Sequence, residues 1–132
     1  MFFNKKEDAN LSNHNIIEIS CSATFTMMKT MLANAGPTLP AADRIRAERL
    51  CSILTTLQYA VRSAIVAKAP ASRGVIKAAR LVQGVSEIIN SNEGLGFSDL
   101  GKILSIYQDT LATYLVHYNA EGNRDERMPW HY

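Results

Sequence analysis

The chain has 132 residues, a formal net charge of +2, an apolar fraction of 47% and two cysteines. That length fits one domain and excludes two of ordinary size, and the apolar share excludes a disordered chain. The near-neutral total says little about partners, but its distribution is uneven. Residues 42–82 carry eight basic groups against two acids, a net of +6, and the remainder carries a net of −4. Cys21 and Cys51 sit in apolar, helix-like surroundings without metal-ligand or CxxC spacing, so free, reduced thiols are expected. The apolar stretch at the N-terminus is too short for a signal peptide. No window approaches the ~20 apolar residues of a membrane span. A cytoplasmic location is the expectation.

Residues 1–12 are polar and read as a flexible N-terminal arm. Ile17, Cys21, Phe25, Met28 and Leu32 then recur at steps of about four, which predicts a helix over 15–35. Gly36-Pro37 ends it. Thr38 is a candidate cap for a second helix, with Pro40 in its first turn. Leu50, Ile53, Leu54, Leu57, Val61, Ala64 and Ile65 give that helix its stripe, and Pro70 stops it near Lys68. Ser72 is placed to cap a third helix over 72–91, with Val75, Ala78, Ala79, Val82, Val85 and Ile89 facing inward. Gly84 weakens this helix, which predicts close packing against a neighbour there. Residues 90–96 are a turn by composition. Ser98 is the candidate cap of a fourth helix over 98–119, striped by Leu100, Leu104, Tyr107, Leu111 and Tyr114. The reading is an all-α, antiparallel four-helix bundle with short connections over 13–122, followed by a tail over 123–132.

A catalytic constellation is not assembled. His14, His117 and His131 lie far apart, and none has an i+3 or i+4 partner to share a metal or orient a base. Gly94-Leu95-Gly96 is a turn and not a phosphate cradle. No enzyme, cofactor or small-molecule substrate is expected. Recognition is better supplied. Met27, Met28 and Met31 can adapt to varied apolar partners. Leu81, Ile88, Ile103 and Ile106 lie beside the main stripes and predict an apolar groove for a partner helix. The candidate partner-binding residues are Leu50, Leu54, Leu57, Val61, Tyr107, Met28 and Met31. The basic 42–82 hairpin would suit nucleic acid, but only Tyr59 supplies an aromatic there, so nucleic acid is the weaker reading. The ending Met128-Pro129-Trp130-His131-Tyr132 is a docked end or a short peptide signal.

Glu48-Arg49-Leu50-Cys51-Ser52-Ile53-Leu54, the turn from Glu87 to Gly96, and Leu104-Ser105-Ile106-Tyr107 with Tyr118-Asn119 are similar to the FliS family of flagellin export chaperones, over about residues 47–125. The resemblance implies a helical bundle that binds the apolar C-terminal segment of flagellin and prevents premature assembly. It implies roles for Leu50, Leu54 and Tyr107. It leaves an extra helix at the start of the chain, expected to pack onto the same groove, which helices two and three would flank. The expected function is therefore an export chaperone or adapter for an amphipathic segment of a secreted client. The alternatives are a self-associating bundle or homo-oligomer, and a nucleic-acid-associated regulator.

Overall fold

The computed structural model describes residues 5–91 and 94–120, with side chains described over 12–91 and 94–116. It contains four helices: α1 (Lys5–Ala35), α2 (Ala41–Val66), α3 (Arg73–Asn90) and α4 (Leu100–Ala120). Short 3-10 turns, Gly36–Thr38 and Phe97–Asp99, precede α2 and α4. No strand occurs among the described residues. α1 starts ten residues before the expected Asn15, so residues 5–12, expected as an arm, continue the helix. Residues 1–4, Gly122 and the tail over 123–132 lie outside the described residues.

Local chemistry accounts for most ends. Gly36 adopts a positive φ of 56° and Pro37 follows it, which ends α1 as expected. Ser72 caps α3, its Oγ accepting from the Val75 N–H at 3.2 Å. Thr38 does not cap α2. Its hydroxyl donates back to the Ala35 carbonyl at 2.7 Å, and Pro40 occupies the cap without a side-chain bond. Ser98 is likewise no cap, because it lies inside the 3-10 turn before α4.

α1 packs against α2 and α3, and so does α4; α1 and α4 therefore face each other across one diagonal, and α2 and α3 across the other. α2 runs antiparallel to α1, because Gln58 bonds Ser22 and Arg62 bonds Glu18. α4 also runs antiparallel to α1, since Tyr107 reaches Ser20 while Tyr114 reaches His14. Consecutive helices are thus antiparallel, but the neighbours α1/α3 and α2/α4 are parallel. The expected antiparallel bundle with short connections is thus present, with α2 and α3 on a diagonal and not side by side. That placement removes the expected basic hairpin: the charges of 42–82 are divided between two opposite corners.

Two backbone positions are informative. α2 ends with Lys68 at a φ of 52°, the Lys68 N–H donating to the Ile65 carbonyl at 3.1 Å and the Ala69 N–H to the Ala64 carbonyl at 2.9 Å. This double bond pattern satisfies the last carbonyls, and glycine is the residue that adopts it without strain. The close helix approach expected at Gly84 is instead at Gly74, where an added Cβ would meet Thr113 Cγ2 at 2.9 Å; at Gly84 it would meet nothing within 4 Å. The reason is rotational, since Gly84 points away from the line of Val75, Val82 and Ile89 that faces the core.

Lys68→Gly is expected to raise stability by about 0.5–1 kcal/mol, by removing the left-handed strain of a side-chain-bearing residue. Gly74→Val is expected to lower it by about 1–3 kcal/mol through overpacking against Thr113. Urea denaturation of both variants checks the two signs.

Candidate functional site

The residues expected to line a partner groove are mostly inside the protein. Leu50, Leu54, Leu57, Val61, Met28 and Tyr107 are fully buried, and Met31 is half-buried against the same core. The four α2 residues belong to a channel between α2 and α3, and α1 fills that channel. In this fold they offer no free surface. Their stripe is genuine, but it is answered by a helix of the same chain.

α1 brings polar groups into that channel. His14, Ser20 and Thr24 are buried on the same face as Ile17, Cys21 and Met28. An unpaired polar group there would cost roughly 2–7 kcal/mol, so partners are required. They come from α4 at the opposite corner and from the end of α2. Tyr107 donates its phenolic proton to the Ser20 carbonyl at 3.1 Å and pairs with the Thr24 hydroxyl at 2.8 Å. His14 Nε2 donates to the Ala69 carbonyl at 3.0 Å. In the neutral ring, Nδ1 then accepts the Tyr114 hydroxyl at 2.6 Å. His14 therefore ties α1 both to α4 and to the end of α2.

This cluster is not suited to catalysis. Both nitrogens of His14 are engaged and the ring is sealed from water, so it has no route to a substrate. Burial pushes the Tyr107 phenol well above its ordinary range, opposed by the hydrogen bond to Thr24 and reinforced by Cys21. Burial raises the Cys21 thiol strongly, with Glu18 adding to it, so Cys21 is an unreactive thiol. Among the described residues, no group of three or more His, Cys, Asp or Glu side chains is placed to hold a metal ion. Nor is any helix there long and apolar enough to cross a membrane.

The surface carries a different candidate. Leu81 and Ile88 on α3 are 44% and 42% exposed, seven residues apart on one face. Gly84 lies between them with open space above its Cα. The contact between Gly74 and Thr113 sets an antiparallel register of α3 on α4, which places half-buried Ile106 across from Leu81 two turns further along. Of the four surplus apolar residues read from the sequence, only Ile103 is fully enclosed. Ile19 on α1 and Val116 on α4 are exposed too, and Ile45, Tyr59 and Val66 share one outer face of α2, separated by multiples of seven residues. The basic residues are partly neutralised: Arg62 pairs with Glu18 at 2.7 Å and Arg46 with Asp43 at 3.2 Å.

Tyr107→Phe is expected to cost about 1–3 kcal/mol, because it strips Thr24 of its buried partner. The raised phenol also gives a pH signature. Above about pH 10 the unfolded chain loses the Tyr107 proton while the folded chain keeps it, so stability is full below that pH and falls as pH rises through it. Cys21 acts in the same direction from about pH 9. Denaturation midpoints between pH 7 and 11 check this, and Tyr107→Phe is expected to flatten the alkaline decline.

Compared with the models of known protein families, with curated proteins and with solved structures, the chain matches none of them.

Proposed function

We propose that the protein is a cytoplasmic helical-bundle adapter or export chaperone that binds an amphipathic helix of a client protein, of the flagellin type. The observation that carries this reading is the outer face of α3, where Leu81 and Ile88 flank the unfilled notch at Gly84. A helix that buries one stripe in its own core and presents a second apolar stripe to solvent is a docking surface by composition. The client segment would lay its own apolar residues along that stripe, reaching Ile106 at the α4 edge. Coupled folding of a disordered segment lowers affinity per unit area and permits later release.

The resemblance to flagellin export chaperones supports the client class. It does not supply the contact residues, since Leu50, Leu54 and Tyr107 are core positions in this fold. The nucleic-acid reading is weaker, because the basic groups of α2 and α3 occupy separate corners.

A labelled peptide spanning the apolar C-terminal segment of flagellin tests the reading. Fluorescence anisotropy is expected to show binding, with a gain of helical circular dichroism in the mixture. Leu81→Asp and Ile88→Asp are each expected to weaken it about tenfold or more, ~1.4 kcal/mol per decade, without unfolding the bundle. A peptide that fails to bind, or that binds the double variant as well as the unaltered chain, removes this function.

A further inference from the structure

The outer face of α3 is complementary to itself. We infer that, without a client, this face is covered by a second copy of the chain, the two α3 helices pairing antiparallel about a two-fold axis between Leu81 and Gly84. The inference rests on the docking face assigned above and names its resident partner.

Three features converge on that partner. Leu81, Gly84 and Ile88 recur at i, i+3 and i+7, the spacing of a helix–helix seam. A two-fold axis between Leu81 and Gly84 sets each Leu81 side chain over the other copy's Gly84. The missing Cβ there, with nothing within 4 Å in the protomer, is room for that knob. The same axis lays Ile88 along the aliphatic stem of the other copy's Lys77. A glycine inside an exposed helix weakens it, and close approach to a second backbone is a reason for its presence.

Charge complementarity supports the antiparallel direction. Arg80 and Glu87 are both exposed, each directly preceding a seam residue and lying on its outer flank, and neither is in an ion pair found among the described residues. In the antiparallel pairing each Arg80 comes beside the other copy's Glu87, giving two symmetric ion pairs. A parallel pairing would instead carry Arg80 and Glu87 to the α4 flank of the other copy and away from this reciprocal pair. The other flank of the seam is α4, where Ile106 extends the apolar contact. An isologous contact of this kind closes at two copies and does not propagate into fibres.

Sedimentation equilibrium of the full chain over a range of concentrations tests the pairing. A reversible monomer–dimer equilibrium is expected. Gly84→Gln fills the notch from a site with no neighbour in the protomer, so it is expected to raise the melting temperature while weakening association about tenfold or more. Arg80→Glu and Glu87→Arg are each expected to weaken the dimer, and the two together to restore it. Circular dichroism confirms that every variant is folded. A chain that stays monomeric at every concentration overturns the inference, as does a dimer indifferent to Gly84→Gln or one not rescued by the double reversal. A monomer that still binds the flagellin peptide through Leu81 overturns the self-pairing alone. A dimer with the expected responses but no peptide binding upholds the pairing and removes the client reading.

Discussion

Burying two phenols, an imidazole and a threonine hydroxyl in the middle of a small bundle is tolerable only if each finds a partner across the core. That requirement organises this structure. Tyr107 and Tyr114 extend from α4 over the diagonal of the bundle to α1, one meeting Ser20 and Thr24 and the other His14. A slip of α1 by one turn would leave these groups dry and unpaired. The polar row therefore sets the register of α1 more sharply than its apolar residues can, because apolar contacts are nondirectional and hydrogen bonds are not.

Once α1 is seated, the rest of the molecule follows. The channel between α2 and α3 is closed, and the leucines of α2 become core. His14 also holds the Ala69 carbonyl, so the crossover from α2 to α3 is pinned by α1, the element farthest from it in chain order among its contacts. Apolar side chains stay exposed on the outside of α3, at Leu81 and Ile88, and on one face of α2, at Ile45, Tyr59 and Val66. The proposed binding face on α3 is one of the surfaces that α1 leaves uncovered.

Much of this was visible in the residue pattern, and the failures are specific. The stripe of α2 and the Ser72 cap of α3 are read correctly because both depend on neighbours three or four residues away. The surplus of Leu81, Ile88 and Ile106 was also legible, since two apolar faces on one helix show in the spacing alone. The polar core was not read. His14 falls on the line of Ile17, Cys21, Thr24 and Met28, and that placement was the available signal. Its partners lie 55 and 100 residues away, beyond any local pattern. Leu50, Leu54 and Leu57 looked like groove residues for a related reason. A stripe states that something covers it, without stating whether the cover is a client or another helix of the same chain.

Sequence alone determined that this protein is all-helical, where most of its helices lie and which face of each is apolar, because those properties arise from contacts within a turn or two of helix. Only the tertiary structure decided which helices are neighbours. The six residues linking α2 to α3 can span up to about 20 Å, enough for either an adjacent or a diagonal position in a bundle whose axes lie about 8–10 Å apart. Connection length therefore left the choice open. Long-range hydrogen bonding from Tyr107, Tyr114 and His14 made it, and with it chose the face that stays exposed.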